Sequence, residues 1–325
     1  MHQQNRVVMF IQVLLLIVGL VMVVFGADYL VEGASSIARK SGLSEFVIGL
    51  TIVGMGTSAP EMVVSFIGAA HGNADIAIGN VVGSNVFNTL LILGLTALIL
   101  PIPVTPGNKR KDIPVNILIT VLLICLGLEH TLFGFGTDGL SRIDGAVLIT
   151  FFIGYLWLSF AQKDHAPEES EDIQPVKPSV ALLMIVGGLA ALVYGGNLFV
   201  DSATYIAKAL GVSDKFIAIT ILAGGTSMPE LATCVAAAIK KKGQLALGNI
   251  IGSNVFNVLL ILGGSALIHP LSFQGISYVD LGVLLLAALA LLFCCIGKKN
   301  KLNRLDGSLF LLLWMGYMAW LIVTL

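Results

Sequence analysis

Long apolar stretches alternate with short polar segments along the whole chain. Ten stretches reach about 20 mostly apolar residues, the length that crosses a bilayer as a helix. They lie at 7–27, 44–69, 74–99, 114–133, 143–161, 179–200, 214–239, 244–269, 277–296 and 306–324. Backbone exposed to lipid must form its hydrogen bonds internally, and the alternating ten-residue segments of a membrane barrel are not seen. The pattern therefore predicts an all-α integral membrane protein with ten transmembrane helices.

Composition agrees with a lipid environment. The 325 residues are 57% hydrophobic and 11% charged, against roughly 25% charged residues in an average soluble domain. The net charge of −1 does not indicate the basic surface that binds nucleic acid, and no obligatory protein partner is evident. The expected partners are thus the bilayer and small solutes. The polar start MHQQNR precedes an apolar stretch too long for a signal-peptide core, so 7–27 is predicted to be the first span.

Basic residues predict the orientation of the spans. Fourteen of the 18 lysines and arginines fall in the loops after spans 1, 3, 5, 7 and 9, and four fall on the other side. By the positive-inside rule the side richer in lysine and arginine is cytoplasmic. The protein is therefore predicted to lie in the plasma (cell inner) membrane with both termini on the extracytoplasmic side. The acidic, proline-containing stretch 162–178 is predicted to be a cytoplasmic linker.

An internal repeat divides the chain at a constant offset of 169 residues. GNVVGSNVFNTLLILGLTALILP at 79–101 and GNIIGSNVFNVLLILGGSALIHP at 248–270 agree at 17 of 23 positions, and GTSAPE at 56–61 matches GTSMPE at 225–230. This predicts five-span repeats at 1–161 and 179–325, with the most similar cores at about 44–101 and 213–270. An odd number of spans inverts the second repeat, an arrangement typical of secondary transporters.

Each repeat carries one carboxylate deep in an apolar helix, Glu61 or Glu230. An ionised side chain at the bilayer centre costs about 2.5–3.5 kcal/mol or more, so matched copies indicate function. Thr57 and Ser58 precede Glu61 by one helical turn, as Thr226 and Ser227 precede Glu230. Neighbouring glycines and prolines loosen the same turn and free carbonyl oxygens.

Spans 3 and 8 add amides and hydroxyls. Ser84 and Asn88 are four residues apart and share a helix face, as do Ser253 and Asn257. Asn88 and Asn257 are predicted to be ligands, whereas Asn85 and Asn254 are predicted to pack or support. Carboxylate, amide, hydroxyl and carbonyl oxygens suit hard cations such as Na+ and Ca2+. Two ionised glutamates balance one Ca2+, and a larger number of monovalent ions would replace it.

Other functions remain open at this point. Exchange of H+ for Ca2+, or of Na+ for another divalent ion, uses the same oxygens, and a passive channel is a further alternative. An intramembrane enzyme would need a nucleophile with a base or paired aspartates. The five histidines lie at span ends or in loops, and no aspartate pair lies within a span. The chain is therefore predicted not to be an enzyme and to need no cofactor.

The paired GTSAPE–GNVVGSNVFN and GTSMPE–GNIIGSNVFN motifs resemble the sodium/calcium exchanger family of the cation/Ca2+ exchanger superfamily. The resemblance implies a central site of Glu61, Glu230, Asn88 and Asn257, and exchange of three Na+ for one Ca2+. It also implies flanking Na+ sites, one with the Gly54 carbonyl, Thr57, Ser58 and Ser253, the other with the Ala223 carbonyl, Thr226, Ser227 and Ser84.

Two departures refine the resemblance. Potassium-dependent relatives have Asp where this chain has Asn257, which favours a microbial, K+-independent type. Proton-coupled relatives show a GNxxE-type signature that GTSAPE and GTSMPE do not match, which favours Na+ over H+.

Overall fold

The computed structural model describes residues 2–134, 136–161, 176–211, 224–273, 276–296 and 300–324, and these residues are almost entirely helical. The helices are α1 (His2–Ser41), α2 (Glu45–Thr57), α3 (Ala59–Ala70), α4 (Ala74–Ile99), α5 (Ile113–Gly127), α6 (Glu129–Phe133), α7 (Arg142–Ala161), α8 (Pro178–Ala209), α9 (Met228–Ile239), α10 (Gly243–Ile268), α11 (Tyr278–Cys295) and α12 (Arg304–Thr324). The fold is therefore that of an all-α membrane protein.

Each predicted apolar stretch contains helix in its described part, although several boundaries differ. Seven helices in the described part of the chain are long and apolar enough to cross a membrane, or eight when α2 and α3, bent by 48°, count as one. α1 continues past residue 27 to Ser41, and its extension buries the apolar side chains of Leu30, Val31 and Ala34 in the protein core. The stretch 114–133 breaks at Leu128 into α5 and α6. Most of the predicted linker, 162–175, and the start of the stretch 214–239 lie outside the described residues.

Wide π-helical turns interrupt three helices. They occupy Gly49–Val53 in α2, Phe87–Ile92 in α4 and Phe256–Leu262 in α10, and a fourth, Asn108–Asp112, leads into α5. The turns of α4 and α10 begin at equivalent positions of the sequence repeat. Such turns are rare and are frequent at functional sites because they widen the helix and redirect its side chains.

The first helix of each half packs against the other in antiparallel fashion. A Cβ on Gly26 would lie 2.8 Å from the main-chain oxygen of Gly188, and one on Gly188 would lie 2.7 Å from that of Gly26. Further along, Gly19 approaches the main chain at Gly195 equally closely. The contacting residue numbers rise along α1 while they fall along α8, so the two helices are antiparallel. Only glycine permits two backbones to approach this closely.

Two short strand pairs connect the halves at the ends of the helices. β1 (Ile102–Pro103) pairs with β4 (Lys301–Leu302), and β2 (Gly139–Leu140) pairs with β3 (Leu271–Ser272), both antiparallel. β1 and β2 lie at opposite ends of α5, whose 15 residues rise about 22 Å. β1 follows α4 and β3 follows its counterpart α10, so the two equivalent helices end at opposite ends of the molecule.

Candidate cation site

Glu61 and Glu230 occupy the same local geometry in the two halves. Ser58, with φ −79° and ψ 8°, interrupts the helix before α3, and Ser227, with φ −85° and ψ 10°, precedes α9. A proline follows in the first turn of each helix, where its missing N–H costs nothing. Each glutamate therefore lies in the first turn of a helix, where the unsatisfied backbone N–H groups favour a negative charge.

Hydroxyl groups connect the two carboxylates across the halves. Ser58 donates to Glu230 Oε1 at 2.9 Å, and Ser227 donates to Glu61 Oε1 at 3.0 Å. Within each half, Ser84 donates to Glu61 Oε1 and Ser253 donates to Glu230 Oε1, both at 3.4 Å. Each carboxylate thus uses one oxygen to accept two hydroxyl protons. The arrangement joins residues about 170 positions apart into one compact set.

The asparagines of α4 and α10 form a second set of contacts between the halves. Asn88 Nδ2 donates to Asn254 Oδ1 at 3.3 Å, and Asn257 Nδ2 donates to Asn85 Oδ1 at 2.9 Å. Asn254 Nδ2 in turn donates to Thr89 at 2.9 Å. Asn88 and Asn257 are the second residues of the π-helical turns of their helices. Their amide nitrogens are engaged by Asn85 and Asn254, so the supporting position predicted for those two residues agrees with these contacts.

Four buried oxygens at this centre have no hydrogen-bond partner among the described residues: Glu61 Oε2, Glu230 Oε2, Asn88 Oδ1 and Asn257 Oδ1. All four side chains are fully buried. A buried acceptor without a donor costs about 1–3 kcal/mol, and more when it is charged. Four such acceptors, two of them carboxylate, provide the oxygens that a hard cation prefers. The donor set therefore fits a cation whose charge balances two carboxylates.

Thr57 and Thr226 lead to two equivalent hydrogen-bonded clusters on either side of the centre. In the Asn80 cluster, comprising Thr226, Asn80 and Ser65, Thr226 Oγ1 donates to Asn80 Oδ1 at 3.3 Å. In the Asn249 cluster, comprising Thr57, Asn249 and Cys234, Thr57 Oγ1 donates to Asn249 Oδ1 at 3.1 Å. Asn80 and Thr226 are partly exposed, whereas Asn249 and Thr57 are buried.

The residues predicted from the sequence meet at this site with one exception. The Gly54 carbonyl oxygen also lies at the site, 3.4 Å from Ser253 Oγ, and is an alternative acceptor to Glu230 for the single proton of that hydroxyl. Ala223 lies outside the described residues. Sequence reasoning missed the supporting contacts of Asn80 and Asn249 with Ser65 and Cys234. Ser65 and Cys234 occupy equivalent positions of the repeat. Comparing the two halves position by position could therefore have identified both residues as candidates for a supporting role.

Comparisons with known proteins show which family the chain resembles in sequence and in fold. Residues 11–161 and 180–323 match the family model described as sodium/calcium exchanger protein. The chain is 36% identical to the inner membrane protein YrbG of Escherichia coli, over 94% of this chain and 96% of YrbG. It is 34% identical to the sodium/calcium exchanger MaX1 of Methanosarcina acetivorans, over 95% and 97% of the two chains. A solved structure of the sodium-calcium exchanger NCX_Mj matches with a TM-score of 0.82 and 36% identity, covering 96% and 99%.

Proposed function

The chain belongs to the sodium/calcium exchanger protein family, and we propose that it is an antiporter that exchanges Na+ for Ca2+ at the site centred on Glu61 and Glu230. The observation that carries this proposal is the set of four buried oxygens without partners, contributed by Glu61, Glu230, Asn88 and Asn257. Equivalent positions of the two halves supply them. Their charge and chemistry match one Ca2+ bound between the halves.

Na+ would bind on either side of this centre. One set of oxygens comprises the Gly54 carbonyl, Thr57, Ser58 and Ser253. The other comprises Thr226, Ser227 and Ser84, completed by the Ala223 carbonyl as the family resemblance implies. Ser58 and Ser227 each contact the carboxylate of the opposite half, so an ion on either side shares the charge of the central pair. The site then holds Ca2+ or Na+ in competition, which is the basis of exchange.

The charge count makes transport electrogenic. One Ca2+ neutralises two glutamates, whereas the three Na+ of the family stoichiometry leave one positive charge. The empty pair of buried carboxylates is the least favourable state because nothing offsets its desolvation. A loaded site therefore crosses between the two sides more readily than an empty one, which couples the two ions.

Alternating access would use two inverted halves, residues 1–161 and 179–325, joined by the linker 162–178. This is supported by the antiparallel contact of α1 with α8 through Gly26 and Gly188. It is also supported by the strand pairs, which lie at opposite ends of α5 although β1 and β3 are equivalent. We assign ten spans with both termini outside the cell. The inner-membrane location is supported by the similarity to the inner membrane protein YrbG, and the orientation by the distribution of lysine and arginine.

The test measures Ca2+ uptake into proteoliposomes that are loaded with Na+ and diluted into Na+-free buffer at clamped pH. We expect uptake that requires the Na+ gradient and that increases when the vesicle interior is made positive, because three positive charges leave for every two that enter. A second set of vesicles with a pH gradient and no Na+ tests the proton-coupled alternative. Uptake driven by the pH gradient and indifferent to Na+ would overturn the proposed coupling.

A further inference from the structure

Thr57 and Thr226 each point their single hydroxyl proton at an amide oxygen. Thr57 donates to Asn249 at 3.1 Å, in preference to the Gly54 main-chain oxygen at the longer distance of 3.4 Å, and Thr226 donates to Asn80 at 3.3 Å. A hydroxyl has one proton and two lone pairs. When the proton is committed to an amide, the lone pairs remain free for a cation. The two asparagines thereby keep each threonine oriented as a cation ligand.

The two asparagines are themselves held with different strength. Asn80 Nδ2 donates to Ser65 Oγ at 3.0 Å and to the main-chain oxygen of Glu61 at 3.1 Å. Asn249 Nδ2 donates to Cys234 Sγ at 3.3 Å, and it has no second acceptor among the described residues. A thiol sulfur is a weak acceptor compared with a hydroxyl or carbonyl oxygen. The amide of Asn249 is therefore fixed less firmly than that of Asn80.

Part of this difference originates in a single pair of equivalent residues, beside the additional contact of Asn80 with the main chain of Glu61. Ser65 and Cys234 are related by the repeat offset of 169, and both side chains are fully buried. Groups that hold a metal ligand in place commonly change metal affinity when they are replaced, because they determine how well the ligand is preorganised. A serine in one half and a cysteine in the other thus breaks the symmetry of the site without changing any ligand.

We propose that Ser65 and Cys234 are positioning residues that make the two flanking Na+ sites unequal, so that the Thr57 side binds its ion less tightly than the Thr226 side. This inference rests on the proposed function, since it concerns the Na+ sites of that exchanger. The weaker side fills last as the Na+ concentration rises, and it therefore sets the concentration at which Na+ displaces Ca2+.

Cys234→Ser tests the inference most directly. The hydroxyl is a better acceptor for Asn249 Nδ2, so we expect the Na+ concentration for half-maximal exchange to fall by about two- to fivefold. Cys234→Ala removes the acceptor and should raise the Na+ concentration for half-maximal exchange by a similar factor. Ser65→Cys gives Asn80 the weaker acceptor and should raise this Na+ concentration by a smaller factor, because the Thr57 side still fills last. The half-saturating Ca2+ concentration, set by the central oxygens, should change less in each variant.

The matched control is Cys125→Ser, the same replacement on α5 outside both clusters, which should leave the Na+ dependence unchanged. Opposite shifts for Cys234→Ser and Cys234→Ala separate a positioning role from simple loss of folded protein, which lowers maximal uptake without moving the half-saturating concentration. Wild-type uptake that depends on Na+, combined with unchanged half-saturation in all three cluster variants, overturns this inference alone. Wild-type uptake that ignores Na+ overturns the proposed function itself.

Discussion

The Asn80 cluster and the Asn249 cluster are built from equivalent positions of one repeat, yet their surroundings differ. In the Asn249 cluster every side chain is fully buried, whereas Asn80 and Thr226 are partly exposed. Asn80 also reaches the main chain of Glu61, a contact without a counterpart at Asn249 in the described part of the chain. The repeat therefore specifies which groups face the ion, while each half determines separately how firmly those groups are held.

The turns that follow α3 and α9 are also equivalent in backbone geometry but differ in the side-chain contacts they make. Gly72 has φ 71° and its equivalent, Lys241, has φ 58°, so the backbone makes the same left-handed turn. In the first half Asn73 then accepts from Ile76 N and caps α4. In the second half Lys242 instead forms a buried ion pair with Glu45 at the start of α2. One backbone turn thus supports helix capping at one end and an ionic contact at the other.

The largest effect is expected where the two halves do not differ, at the central carboxylates. Glu61→Gln or Glu230→Gln keeps the shape but leaves one charge to balance Ca2+. We expect Ca2+ uptake to fall by about 30-fold or more, because removing one charge from a desolvated set costs about 2–5 kcal/mol. Uptake in proteoliposomes measures this, with membrane insertion checked by the yield of purified protein. Near-normal uptake in either variant would contradict the assignment of that glutamate to the cation site.

The two turns should respond unequally to replacement of equivalent residues. Lys242→Met leaves Glu45 buried without its partner, and we expect a loss of about 3–5 kcal/mol in the free energy of unfolding. Asn73→Ala removes only a helix cap and should cost about 1 kcal/mol. Urea or thermal unfolding in detergent compares them. Equal losses would mean that the ion pair contributes no more than the cap, and the contrast between the two ends would disappear.

The central amides should matter less than the central charges. Asn88→Ala and Asn257→Ala each remove one neutral ligand oxygen, so we expect the half-saturating Ca2+ concentration to rise by about tenfold, the effect of roughly 1.4 kcal/mol. Because Asn88 and Asn257 donate to equivalent partners, the two variants should be alike. Asn85→Ala serves as a comparison, since Asn85 supports Asn257 and has no unpartnered oxygen. A variant of Asn88 with unchanged Ca2+ dependence would remove it from the ligand set.

Much of this arrangement could be predicted from the sequence. Apolar stretches of bilayer length predicted the helices, and the offset of 169 predicted that Glu61 and Glu230 would have equivalent surroundings. Hydropathy did not predict where α1 ends, since that helix continues to Ser41 beyond its apolar part. Nor did it predict the break at Leu128, where the backbone leaves helical geometry without a proline or glycine at that residue.

The contacts between the halves could not be predicted in the same way. Spacing along one helix places Ser58 near Glu61, but Ser58 donates to Glu230, a pairing set by how α3 and α9 meet. The π-helical turns at Asn88 and Asn257 likewise alter the helical register from which the side-chain directions were predicted. Sequence patterns therefore identified the groups of the site, whereas tertiary packing decides which groups serve as partners.

The smallest effect is expected at the neighbouring lysine of the same turn. Lys240 Nζ lies 2.7 Å from Asp28 Oδ1 and 3.5 Å from Glu32 Oε2, but the lysine side chain is 29% exposed and the acids are 48% and 44% exposed. Solvent and salt screen such pairs, so Lys240→Met should change the free energy of unfolding by less than about 1 kcal/mol. Raising the salt concentration should abolish that small difference, whereas the loss in Lys242→Met should persist, because Lys242 and Glu45 are only 10% and 9% exposed. Unfolding of both variants at low and high salt measures this. If the loss of unfolding free energy in Lys242→Met also disappears at high salt, the Lys242–Glu45 pair is screened by solvent like the Lys240 pairs. Burial would then not explain the difference between the two lysines.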